Sequence, residues 1–180
     1  MSIRSRIVLV GASSTGKTTV AELLKTKLKE YNFISESTRT IRSYGFPINE
    51  EGTSLTQLAI SNFHLEALLD KKSLILDRGY LDLVVYSRLL NNMDQKVLTY
   101  IEETWKRVKH NYTGYVYFPI EFKSVDDGVR SVNEEWRRAV DKEFVKEMEA
   151  SNIEYLTISG SPMQRVNQIL ENEEFLQGLK

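Results

Sequence analysis

Apolar and polar positions along the chain switch repeatedly between short continuous runs and helical spacing. Ile7-Val8-Leu9-Val10 is a short apolar run, read as a buried strand. Val20, Leu23, Leu24 and Leu28 then recur with helical period opposite Lys25, Lys27 and Lys29, so a first helix is expected from near Lys17 to about Glu30. Phe33-Ile34-Ser35 reads as a second strand, and Ser37 to Tyr44 as a short helix or turn before Gly45, Pro47 and Gly52 break the pattern. Ser54 with Gln57 resembles a capping box opening a long helix to about Lys71, with Leu55, Leu58, Ala59, Leu65, Leu68 and Leu69 on its buried side.

Ser73 to Asp77 is an apolar run that ends in an acid, the expected third strand. Tyr80 to Leu90 and Asp94 to about Lys109 are helical stretches, the second with Val97, Ile101, Trp105 and Val108 in register. Gly114 to Phe118 is β-rich and stops at Pro119, a fourth strand. A polar, lid-like segment near 121–138 leads into a helix capped by Asn133 with Trp136, Val140, Phe144 and Met148 as its stripe. Glu154 to Ile158 is the fifth strand, and Ser161-Pro162 opens a last helix packed through Val166, Ile169 and Leu170. Strands alternating with helices imply an α/β architecture: right-handed crossovers and a mainly parallel sheet covered on both faces. Such sheets gather ligands at the carboxyl ends of their strands, so Gly11, Glu36, Asp77 and Pro119 are expected on one rim.

Composition narrows this picture. The chain has 180 residues, and its 24 Lys plus Arg balance 25 Asp plus Glu, which gives no global attraction to nucleic acid or to an anionic surface. There is no cysteine, so disulfides, thiolate catalysis and Cys-based zinc sites are excluded. The start of the chain runs almost directly into the first strand, without a signal-peptide pattern, and no run is apolar enough to span a bilayer. The expectation is one cytoplasmic domain over 1–180 with no membrane partner, its overall charge disfavouring nucleic acid unless a local basic channel exists, its oligomeric state open and a homodimer compatible.

Gly11-Ala12-Ser13-Ser14-Thr15-Gly16-Lys17-Thr18 fits G-x-x-x-x-G-K-[ST] between a strand and a helix. A glycine-bounded loop turns successive N–H groups toward phosphate oxygens, and the following helix adds its positive end. Lys17 would reach the β- and γ-phosphates and Thr18 would ligate Mg2+. The bland alternative is a strand-to-helix turn that happens to carry two glycines.

Asp77 stands where a carboxylate would meet Mg2+ or its water, or would simply cap the next helix. Arg78 would either pair with Asp77 or neutralise transferring phosphate. Glu36 could accept a proton from a substrate hydroxyl, orient a ribose, or serve as a helix-start acid. Arg39 and Arg42 suit an anionic group or a solvated face. Arg130 is the first choice, and Arg137 the second, for a cation brought over the phosphates, against a surface ion pair. Asp126 and Asp127 read equally as loop charge or ligands. His64 and His110 look incidental, and Tyr44 and Tyr80 would stack on a base or pack.

The segments GASSTGKT, SESTRTI, LILDRGYLDLVVYSRL and DDGVRSVNEEWRRAVD together resemble the AAA_28 group of small P-loop proteins, which is related to the ribosylnicotinamide kinase domain of NadR-type proteins and more distantly to deoxynucleoside and thymidylate kinases. The resemblance implies a three-layer P-loop NTPase fold with strand order 2-3-1-4-5, and an ATP- and Mg2+-dependent kinase whose acceptor is a nucleoside or nucleotide-like small molecule. It implies catalytic roles for Lys17, Glu36, Asp77, Arg78 and Arg130, and metal contact for Thr18 and Asp77. Thr19 and Arg165 join Gly11 to Thr18 as candidate nucleotide contacts. The serine that deoxynucleoside kinases carry after the acid-arginine pair is Gly79 here, so their substrate rules do not carry over. A regulatory NTPase switch and a polynucleotide 5′-kinase remain as alternatives, whereas the absence of N-K-x-D disfavours a guanine-specific GTPase and the absence of a further helical segment disfavours a ring-forming motor.

Overall fold

β1 (Arg6–Val10) lies at the centre of a five-stranded sheet, flanked by β3 (Leu74–Asp77) and β4 (Gly114–Tyr117), with β2 (Asn32–Ile34) and β5 (Tyr155–Thr157) at the edges. The order is 2-3-1-4-5 and all four pairings are parallel. This is a computed structural model, and it describes residues 5–124 and 133–172.

Alternation along the strands explains the layers. Ile7, Leu9, Ile75 and Val116 point to one face, where they pack with Val20 and Leu24 of α1 (Lys17–Lys27) and Val166 and Ile169 of α7 (Pro162–Glu171). Val8, Val10, Leu74, Leu76 and Tyr115 point to the other. There they meet α4 (Tyr80–Leu89), α5 (Gln95–Val108) and α6 (Glu134–Ala150), with α3 (Ser54–Ala67) packed on α4. Central strands buried on both faces need continuous apolar runs, which is why β1 and β3 lack polar alternation. α2 (Thr38–Ser43) and a 3-10 turn, Asn49–Glu51, connect β2 to α3.

Helix starts follow the expected chemistry in part. Asn133 Oδ1 accepts from the N–H groups of Glu135 and Trp136, both at 3.0 Å, and Ser161 with Gln164 forms a capping box ahead of Pro162. For α3 the cap lies one residue earlier than expected: Thr53 and Thr56 exchange the reciprocal bonds, and Ser54 is already helical. α3 also ends at Ala67 rather than near Lys71, and α1 stops at Lys27, where the Leu28 N–H closes on the Leu24 carbonyl.

The buried face of α3 needs correction. Leu65 and Leu68 pack on the core as expected and Leu58 and Ala59 are half-buried, but Leu55 and Leu69 are exposed, and the buried positions are Thr56, Gln57, Ser61 and His64. α3 lies beside a cleft with α4 that Gln57 and His64 line, while Ser61 meets the Tyr80 hydroxyl and Thr56 donates to the Pro47 carbonyl. Tyr80 takes its packing alternative, fully buried with its hydroxyl 2.9 Å from Ser61 Oγ, and Tyr44 stands in solvent.

Candidate active site

The turn from β1 to α1 is Gly11 to Gly16. A Cβ at Gly11 would stand 2.5 Å from the Phe118 carbonyl oxygen, and Gly11 and Gly16 have φ of 138° and 88°, so both positions require glycine. Ser14 adopts φ 56°, and its Oγ is buried without a hydrogen-bond partner. Lys17 folds back over the loop, its Nζ donating to the carbonyls of Gly11 (2.8 Å) and Ala12 (2.6 Å) and to Thr15 Oγ1 (3.1 Å). Burial, and then the nearby Arg78 guanidinium, push the Lys17 ammonium down to about 7 against the pull of Asp82, Asp77 and Glu36. Thr19 is exposed in the first turn of α1.

Two distant arginines brace this loop. Arg137, on α6, is fully buried; its Nε donates to the Ser13 carbonyl at 3.0 Å, Nη1 to Glu134 at 2.6 Å and Nη2 to the Phe122 carbonyl at 3.4 Å. Those bonds engage all three of its nitrogens with protein, which makes Arg137 a support of the loop rather than a mobile lid cation. Arg165, on α7, donates to the Thr15 carbonyl at 2.5 Å, pairs with Glu121 at 3.1 Å and lies over the rings of Phe118 and Phe122. Arg130, Asp126 and Asp127 lie outside the described residues.

The end of β3 sends neighbouring side chains to different partners. Asp77 Oδ2 accepts from Thr18 Oγ1 at 2.7 Å, while its Oδ1 is buried with no partner. A threonine hydroxyl and a carboxylate beside a phosphate loop are hard oxygen donors that suit Mg2+, an ion that keeps several waters and takes substrate phosphate as ligand. The absence of a three-residue His, Cys, Asp or Glu cluster among the described residues is compatible with that mode. Arg78, at φ 78°, turns away instead: Nε donates to Glu36 Oε1 at 2.8 Å and Nη1 to Asp82 Oδ1 at 3.0 Å. Its hydrogen-bonded acids are thus Glu36 and Asp82, not Asp77. Burial raises Asp82 to about 6 against the pull of Arg78 and Lys17, and its other oxygen caps α4 by accepting the Gly79 N–H at 3.0 Å. A Cβ on Gly79 would come within 2.7 Å of Val8 Cγ2, a packing reason for glycine where deoxynucleoside kinases have serine.

Beside this network a small pocket opens between α3 and α4. Glu36, Arg78 and Asp82 form one end, Gln57 and His64 come from α3, and Tyr86 from α4. Sequence reading missed His64, Gln57, Asp82 and Tyr86. The available signal was a polar stripe, Thr56, Gln57, Ser61 and His64, repeating with helical period beside the expected apolar face. Arg39 and Arg42 are exposed on α2, and His110 is exposed.

A parallel sheet with a glycine-bounded, lysine-bearing loop after its central strand defines a P-loop nucleoside-triphosphate-binding fold. More narrowly, the chain belongs to the AAA_28 family, described as an AAA domain, whose model matches residues 6–165. Among solved structures it is similar to deoxyadenosine kinase from M. mycoides, with dCMP and dCDP bound (16% identity, TM-score 0.73, covering 95% of this chain and 99% of that one). It is also similar to NadR protein in complex with NR (15% identity, TM-score 0.75, covering 98% of this chain and 52% of that one). Thymidylate kinase from Candida albicans is a third (17% identity, TM-score 0.67, covering 98% and 94%). At such identities these likenesses establish the fold. No curated protein matches the chain. Among the described residues no helix is long and apolar enough to cross a membrane.

Proposed function

We propose that the protein is a kinase that moves the γ-phosphoryl group of ATP onto a nucleoside or nucleotide-like small molecule. The observation that carries this reading is the continuity of the phosphate loop with the pocket beside it. Asp77 contacts Thr18 of the loop, and the very next residue, Arg78, contacts Glu36 in the pocket.

In this reading Lys17 leaves the Gly11 and Ala12 carbonyls to hold the β- and γ-phosphates, and the loop N–H groups cradle the remaining oxygens. Thr18 and Asp77 would hold Mg2+, which when bound neutralises charge on the phosphate oxygens. Arg78 orients Glu36, so Glu36 can take the proton of the acceptor hydroxyl as its oxygen bonds to the γ-phosphorus. The bond from that phosphorus to the β,γ-bridging oxygen breaks and ADP leaves. Arg137 and Arg165 keep the loop carbonyls turned outward, away from the phosphates. Expected surroundings are a cytoplasmic compartment and a small-molecule acceptor.

The pocket beside the loop favours transfer over a hydrolytic switch, because a switch needs no second ligand site. ADP release should be measured across nucleosides, nucleotides and nicotinamide riboside, with Lys17→Ala as control. Acceptor-dependent turnover lost in the variant supports the reading; uniform slow hydrolysis without any acceptor dependence refutes it.

A further inference from the structure

Two helices make the walls of the pocket, and their residues alternate in character. Ile60 of α3 faces the cleft together with Leu83 and Tyr86 of α4, so two apolar walls flank the space. Gln57 and His64, two turns apart on α3, add polar groups along one wall. Apolar side chains on two facing walls, with polar groups beside them, suit a flat heterocycle, which stacks through its faces and hydrogen-bonds through its rim.

His64 stands out among these groups. It is 3% exposed, and its Nδ1 is buried without a hydrogen-bond partner. Buried ring nitrogens ordinarily find partners, and this unpaired one belongs to a residue that lines the pocket, which makes His64 the candidate to meet a ligand there. Burial, reinforced by the Arg78 charge, lowers this imidazole to about 4, so it is neutral at physiological pH and offers one donor and one acceptor.

Charge then separates acceptor classes. Among the described residues lining the pocket, Arg78 is the cation, and it already binds two carboxylates, Glu36 at 2.8 Å and Asp82 at 3.0 Å. A dianionic 5′-phosphate entering here would face two acids and find the guanidinium engaged. An uncharged hydroxyl meets no such opposition and gains Glu36 as its hydrogen-bond acceptor.

We propose that this pocket takes its acceptor as a nucleoside with a free 5′-hydroxyl rather than as a nucleoside phosphate, and that His64 binds the edge of its base. The inference deepens the kinase reading and rests on it for what happens to that hydroxyl, while the binding step stands apart from it.

The test is calorimetric titration of the full chain with adenosine, guanosine, cytidine, uridine, thymidine, nicotinamide riboside and the 5′-monophosphate of each. At least one nucleoside should bind tenfold or more tightly than its own monophosphate. His64→Phe should weaken that nucleoside about tenfold or more, with ADP affinity as the check that the loop remains folded, and His64→Gln should recover part of the loss. Absence of nucleoside binding, a monophosphate that binds as tightly, or a His64→Phe variant equal to the natural chain would each overturn the proposal. Nucleoside binding without ADP release refutes the kinase reading and supports this one; ADP release with monophosphates alone does the reverse.

Discussion

Arg78 Nε donates to Glu36 Oε1 across 2.8 Å, joining the end of β3 to the end of β2, and both side chains are close to nine-tenths buried. A guanidinium at that distance holds a carboxylate in one orientation, one of the things a general base requires. Arg78 makes this contact from a backbone at φ 78°.

Glu36→Gln keeps the shape and an acceptor for Arg78 but cannot take a proton. Turnover should fall by about 10²-fold or more, with a smaller change in the KM for the acceptor. Steady-state ADP release measures both, and a loss below about threefold would reduce Glu36 to scaffolding.

Lys17 should make nucleotide binding pH-dependent. In the free protein its ammonium is lowered from the ordinary 10.5 to about 7, first by burial and then by Arg78, so between those values the folded chain holds fewer protons here than the unfolded chain. Stability of the free protein should therefore rise with pH across that window. Bound triphosphate restores the charged form, so ATP binding near pH 8 should take up protons. Calorimetry in buffers of different ionisation enthalpy reads the uptake, and Lys17→Met should remove it; equal apparent enthalpies in all buffers would count against this account.

Gly79→Ser tests the packing reason for the missing hydroxyl. The new Cβ would stand 2.7 Å from Val8 Cγ2 and 3.2 Å from the Tyr112 hydroxyl, which itself accepts the Tyr80 N–H at 2.9 Å. Strain of this kind costs about 1–3 kcal/mol, and denaturant unfolding should show it as a lower midpoint at unchanged slope. An unchanged midpoint would mean that the β1–α4 contact relaxes freely.

Arg137→Met removes the donors to the Ser13 and Phe122 carbonyls. Two orphaned carbonyls should cost about 2–4 kcal/mol together, and a loosened loop should raise the KM for ATP more than it lowers kcat. Arg137→Lys should not rescue, because a single ammonium cannot span both carbonyls and Glu134. Full rescue by lysine would show that charge alone matters at this position.

How much of this was readable in advance depends on distance along the chain. The strand, loop and helix around Gly11 to Thr18 were legible because the motif is local and its spacing carries the geometry. So were the five strands, the Asn133 cap and the shared rim of Glu36 and Asp77, since parallel crossovers bring every strand end to one edge. Arg78 was singled out, but its partners were not, because pairing with Asp82 and Glu36 rather than Asp77 depends on a left-handed residue that sequence does not announce.

By itself the amino-acid order determined the layered α/β architecture and the phosphate cradle, because hydrophobic period and glycine placement act through neighbours a few residues apart. Only the tertiary structure decided that α3 turns Gln57 and His64 into a cleft, and that Arg137 and Arg165 brace carbonyls 124 and 150 residues away. Those contacts exist only once the sheet has brought its helices together, and their partners are backbone atoms that no residue letter reveals.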